Sequence, residues 1–214
     1  SIMEAGLGAV LERLNKAGEV AHEEDIGEFA VLRRLREGLP PGDAPILDYK
    51  MIDDDYMLAP VAAHYLLDMP AGRARAKEFL ARRTTSGETF GARLTRNFLF
   101  VMASTAPFAR DPVREHLIAL KAGQSVGNWR DSERGLGGGH YAYDVNGVWA
   151  PAALLAIARL NESGLLADYL PAGSARPFAN AATMTQVWLR EAPRCFDVTV
   201  PADVARRKVA AYAK

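Results

Sequence analysis

Asp53-Asp54-Asp55-Tyr56-Met57-Leu58-Ala59-Pro60-Val61-Ala62 can be laid over Asp144-Val145-Asn146-Gly147-Val148-Trp149-Ala150-Pro151-Ala152-Ala153. Both read Asp, any residue, Asp or Asn, three residues, Ala-Pro, and then an apolar run. A short polar side chain at a helix start satisfies free N–H groups, and a carboxylate there faces the positive end of the helix dipole. The two stretches therefore read either as two well-capped helices or as one unit used twice. Repeated helix pairs build toroids and solenoids. In a toroid, matching helix starts would bring Asp53 and Asp144 to one rim, facing one cavity.

Outward from these stretches, helical periodicity dominates. Leu7, Val10, Leu11 and Leu14 form one stripe ending at Gly18. Ile26, Phe29, Ala30, Leu32 and Leu35 form a second, stopped by Gly38-Leu39-Pro40-Pro41-Gly42. Further helices are expected over 56–67, 71–82, 88–104, 111–122, 148–160, 178–190 and 202–213. Only Phe196-Asp197-Val198-Thr199-Val200 alternates like a strand. Without a βαβ rhythm, a doubly wound sheet is excluded. The expected class is all-α, with 1–214 a single domain or a fragment of one.

Composition narrows the function. Lys+Arg and Asp+Glu balance at 26 each, so no global field draws polyanions, and no nucleic-acid partner is expected. The apolar run over 151–157 is far too short to span a bilayer, so no membrane partner is expected either. A single cysteine, Cys195, cannot form an intrachain disulfide, which fits a cytoplasmic setting better than a periplasmic or secreted one. The chain opens at Ser1 and reads as helix by Glu4, which suggests an excised segment or a processed chain.

The most unusual stretch is 127–146, with three aromatic rings, acids, bases and flexible glycines between two expected helices. Long irregular connections in compact domains are usually functional or disordered, and Trp129, Tyr141 and Tyr143 argue for function. Asp131 stands between Arg130 and Arg134 and beside Trp129. Guanidinium groups can position such a carboxyl, and aromatic cover can raise its pKa toward that of a general acid. A structural ion pair is the competing reading, and Glu133 reads as solvent-facing.

Other motifs fail. Gly135-Leu136-Gly137-Gly138-Gly139-His140 lacks the third glycine of a dinucleotide fingerprint, and no P-loop occurs. In His22-Glu23-Glu24-Asp25-Ile26 an Ile replaces the second His of a zincin helix, and the Asp53-Asp54-Asp55 run is a weak magnesium motif. His64 and His116 read as core or interface histidines. Asp25, with Glu28 three residues on, reads as a helix cap. Glu23 and Glu24 can be caps or catalytic acids.

These residues resemble the six-hairpin α/α toroid glycosidases, especially the amylo-α-1,6-glucosidase part of glycogen-debranching enzymes. Asn128-Trp129-Arg130-Asp131 is similar to that family's T-W-M-D loop, and Tyr143-Asp144-Val145-Asn146-Gly147-Val148-Trp149 to its V-x-V-N-x-L-W helix start. Gly18-Glu19-Val20-Ala21-His22-Glu23 resembles its G-x-I-P loop, and 52–58 its Asp-led helix start. Arg130 replaces the Met of the motif, the glycines at 135–139 are foreign to it, and the short tail after Leu160 carries no counterpart of the downstream general base.

The resemblance implies an incomplete (α/α) toroid of helical hairpins and an inverting glycoside hydrolase that acts on an oligo- or polysaccharide and needs no cofactor. Asp131 would be the acid and a second carboxylate, Glu23 or Glu24 if within this chain, the base, with the pair roughly 6.5–9.5 Å apart. Trp129, Tyr141 and Tyr143 would stack on sugar rings. Arg130, Arg134, His140, Asp53, Asp55, Asp144 and Asn146 would bind the substrate. The alternative is a non-catalytic helical domain that binds carbohydrate or a protein. A homo-oligomer, or the remainder of the toroid, is the partner expected to close the ring.

Overall fold

A computed structural model describes residues 1–130, 132, 135–171 and 176–213. The described residues are mostly helical, with one two-stranded sheet, and the fold is all-α. The helices are α1 (Ile2–Arg13), α2 (Glu28–Glu37), α3 (Asp53–Ala63), α4 (Pro70–Ala81), α5 (Phe90–Arg110), α6 (Ala150–Glu162), α7 (Ala181–Glu191) and α8 (Ala202–Tyr212). The strands β1 (Glu23–Asp25) and β2 (Ile46–Asp48) pair antiparallel and flank α2.

Helices α3 and α6 pack side by side, α6 also packs on α7, and α5 runs behind them in contact with α1, α3, α4, α6 and α7. The apolar repeat of α6 explains its place. Leu154, Ile157 and Leu160 lie on one stripe and are fully buried. Each such side chain is worth about 1.5–3 kcal/mol when removed from water. Trp188 of α7 closes the far end, tilted against Phe108 and donating its indole N–H to the Thr105 carbonyl at 3.1 Å.

Both Asp-led helices carry a π-helical turn. In α3 it follows the helix at His64–Asp68, where the Met69 N–H reaches back five residues to the His64 carbonyl. Before α6 it occupies Asp144–Trp149, where the Ala150 N–H bonds the Val145 carbonyl. The next residue, Pro151, has no N–H to donate, so the change of register to α-helix costs no backbone bond there.

The two stretches are also anchored alike. Asp55 is almost wholly buried, and its Oδ1 accepts the Val20 N–H at 2.7 Å. Asn146 is fully buried, and its Oδ1 accepts the Ile118 N–H at 2.8 Å. The chain at 18–20 is fixed a second time by Asn97, whose amide donates to the carbonyls of Gly18 and Asp55. Gly18 itself has φ +97, and a Cβ there would stand 2.6 Å from the Arg96 carbonyl oxygen, so no other residue fits.

Several expectations need correction. Residues 111–122 form no α-helix: Pro112 follows the end of α5, only Arg114–His116 makes a 3₁₀ turn, and the chain then runs to the bond from Ile118 to Asn146. Residues 196–200 form no strand, because Pro193–Phe196 closes as a 3₁₀ turn and residues 197–200 pair with no other segment among the described residues. Asp25 is not a cap: Gly27 holds that position, while Asp25 lies in β1 and binds Arg33 at 2.8 Å. Of the core and interface readings of the two histidines, the core one fails: His64 is exposed, 3.4 Å from Asp68, and His116 is only half-buried, its Nδ1 2.8 Å from the Asp111 carbonyl oxygen. The stripe of α2 also faces outward: Ile26, Phe29, Leu32 and Leu35 are exposed and only Ala30 is buried.

Candidate functional site

The starts of α3 and α6 meet at a cavity of about 710 Å³. Asp53 and Asp54 enter it from α3, and Asp144 and Trp149 from the π-helical turn before α6. His22 arrives from the residue before β1, where its N–H is bonded to the Asp48 carbonyl, and Trp129 comes from the long connection between α5 and α6. Met51, Met57 and Val148 complete the wall. The connection is stitched to α3 by the Ile52 N–H, which donates to the Gly127 carbonyl at 2.6 Å.

Hydrogen bonds hold the polar groups in place. His22 Nδ1 lies 2.7 Å from Asp54 Oδ2. Asn128, nearly wholly buried, donates its amide to Asp144 Oδ1 at 3.1 Å. Asp53 Oδ1 accepts the Asp54 N–H at 3.2 Å. Two buried acceptors, Asp144 Oδ2 and Asn128 Oδ1, have no hydrogen-bond donor among the described residues. Buried oxygens are rarely left so, and of the two residues Asp144 lines the cavity, where an acceptor suits a donor brought by a ligand.

The electrostatics follow from the crowding. Burial pushes the Asp53 carboxyl above its ordinary value, and the neighbouring charges of Asp54 and Asp144 push it further the same way. A carboxyl held up in this way can keep a proton nearer to neutral pH, as a general acid requires. Around it stand two indole faces: Trp149, half-buried, and Trp129, 62% exposed with the Arg130 guanidinium 4.4 Å from its ring centroid. Carboxylates that accept hydroxyl protons beside flat apolar rings can hold a polyhydroxylated ring by its edges and its face.

Other expected site residues lie elsewhere. Asp55 and Asn146 are committed to the backbone bonds described above, and Asp55 also faces Lys121 at 2.9 Å. Tyr141 packs against the core, Tyr143 stands edge-on to Phe196 with centroids 5.2 Å apart, and His140 is exposed; none of them lines the cavity. Glu24 is ion-paired with Arg13 at 2.6 Å, and Glu23 is exposed with its carboxylate 3.7 Å from Nε2 of the cavity residue His22; neither lines the cavity itself. Asp131, Glu133 and Arg134 lie outside the described residues.

Sequence reasoning did not single out His22, Trp149 or Met51 as cavity residues. Trp149 stood in view inside the repeated motif, five residues after Asp144. His22 was readable only through its neighbours. No cluster of three or more His, Cys, Asp or Glu side chains suited to a metal ion occurs among the described residues. No helix among them is long and apolar enough to cross a membrane. No family model, curated protein or solved structure matches this chain.

Proposed function

We propose that the chain is a glycoside hydrolase acting on an oligo- or polysaccharide, and that the cavity between the starts of α3 and α6 receives the sugar. The observation that carries this reading is the meeting of Asp53, Asp54 and Asp144 with Trp129 and Trp149 in one cavity of about 710 Å³. The paired anchors from Val20 to Asp55 and from Ile118 to Asn146 support a finer architecture, in which α3 and α6 are equivalent helices of two hairpins of an (α/α) toroid.

The proton donor in this reading is Asp131, as the resemblance implies. Asp53, with its raised pKa, is the described carboxyl best suited to take that role in its place. Asp144, with its orphaned Oδ2, accepts a sugar hydroxyl. A second reading, a carbohydrate-binding domain without turnover, is favoured by the absence of Glu23 and Glu24 from the cavity lining, which leaves the base unassigned. Calorimetric titration with neutral oligosaccharides, run beside a reducing-end assay for hydrolysis, separates the two. Binding with turnover supports the hydrolase, binding without turnover the second reading, and no binding rejects both.

A further inference from the structure

Asp54 and Met57 line the carboxylate cavity on one side. Those two residues also line a second cavity of about 400 Å³ in the groove between α1 and α3. Its wall is otherwise apolar, with Met3, Leu7 and Val10 from α1 facing Leu58 and Val61 from α3. Apart from Asp54 no side chain on this wall can exchange a hydrogen bond, so water there is held poorly and is readily displaced by an apolar group. The groove is open because position 6 on α1 is glycine, where an added Cβ would meet no atom within 4 Å.

We propose that this groove binds the aliphatic aglycone of an amphiphilic glycoside whose sugar occupies the carboxylate cavity. The inference rests on the sugar reading of that cavity and adds the nature of what is attached to the sugar. The two cavities adjoin at the wall residues they share, Asp54 and Met57, which argues for one ligand reaching both. The polar end supplies hydroxyl donors to the carboxylates of Asp53, Asp54 and Asp144, and the tail exchanges water for the methyl and methylene surface of the groove. A volume of about 400 Å³ lies in the range of small-molecule pockets and suits a short alkyl chain.

The test is a calorimetric titration of the whole chain with methyl glucoside and with n-alkyl glucosides of increasing length, below their micelle concentrations. Each added methylene is expected to tighten binding about two- to fourfold until the groove is filled, the upper figure being that for full burial. Gly6→Phe fills the groove from the exposed face of α1 and is expected to flatten this series while leaving methyl glucoside binding unchanged. Val61→Glu, a substitution on the opposite wall, is expected to do the same, so the test does not depend on one variant folding.

Equal binding of methyl and alkyl glucosides overturns the inference and leaves the sugar site standing. A chain-length series that survives both substitutions overturns it too, as does 1-octanol alone binding as tightly as octyl glucoside, which would mark the groove as a seat for an apolar partner. Failure of every glucoside to bind overturns it together with the sugar reading.

Discussion

Asn146 receives the backbone N–H of Ile118 on its Oδ1 at 2.8 Å and returns its amide to the Ile118 carbonyl at 2.9 Å. This two-way clasp fixes the early part of the connection after α5 against the π-helical turn that leads into α6. The Ala142 carbonyl takes a further bond from the same amide, so one fully buried side chain satisfies three backbone groups. Asn146→Ala strands the N–H and carbonyl of Ile118, while the Ala142 carbonyl keeps the bond from the backbone N–H of residue 146 at 3.2 Å. At about 1–3 kcal/mol for each stranded group, partly relieved by relaxation, the loss of unfolding free energy is expected to be about 2–5 kcal/mol. Urea denaturation followed by circular dichroism checks it, and a loss below about 1 kcal/mol would show that the clasp is dispensable.

The counterpart, Asp55, should behave differently with pH. Burial pushes its carboxyl up to about 7, although the Lys121 ammonium 2.9 Å from Oδ2 pulls the other way. A folded value above the unfolded 3.8 means that the folded protein holds the extra proton between the two. Stability from this group is therefore fully present below the unfolded value and is lost as pH rises through about 7. Asp55→Asn keeps the acceptor for Val20, has no proton to lose, and reproduces the residue at the matching position, Asn146. Relative to the wild type, it is expected to gain stability steadily between about pH 4 and pH 8. Urea midpoints across that range check this; a constant difference would mean that Lys121 outweighs burial.

Asp53 carries the third prediction. Burial is the main cause of its raised pKa, and the charges of Asp54 and Asp144 add to it. Asp144→Asn removes one of those charges and is expected to bring the Asp53 titration down toward the ordinary carboxylate range without abolishing the shift. Carboxyl carbon resonances followed by NMR read this directly. An Asp53 midpoint that does not move in the variant would deny that the two helix starts share one electrostatic site.

Much of this arrangement was legible in the sequence because it rests on local spacing. The Asp-x-Asp/Asn-x-x-x-Ala-Pro repeat placed Asp53 and Asp144 on one cavity because both begin helices that pack side by side. The third residues of the repeat misled: Asp55 and Asn146 looked like ligands for a sugar but bind the backbone of segments 35 and 28 residues earlier, which no local pattern reveals. The stripe of α2 predicted its helix but not that the stripe would face outward, since periodicity does not say what covers a face. His22 reaches the cavity through three-residue strands, too short to show alternation.

The catalytic assignment makes a fourth prediction. With Asp131 as the proton donor, Asp131→Asn should slow turnover of natural glycosides by ~10²–10⁴-fold, the range for general acid catalysis. Activated phenolic glycosides, whose leaving group needs little protonation, should be slowed much less. If Asp53→Asn instead gives this contrast, the proton donor is Asp53. Equal loss on both substrate types, with a fall in melting temperature, would assign Asp131 a structural ion pair.

The account rests above all on the claim that the cavity at the starts of α3 and α6 holds a sugar. Calorimetric titration of neutral oligosaccharides into the wild type, Asp144→Asn and Trp129→Ala tests it most directly. Trp129 is 62% exposed, so its removal should leave the fold intact. The expected result is single-site, saturable binding to the wild type, weakened by about tenfold or more in each variant, a change of about 1.4 kcal/mol. Absence of binding to the wild type, or binding of undiminished strength in both variants, would contradict the account.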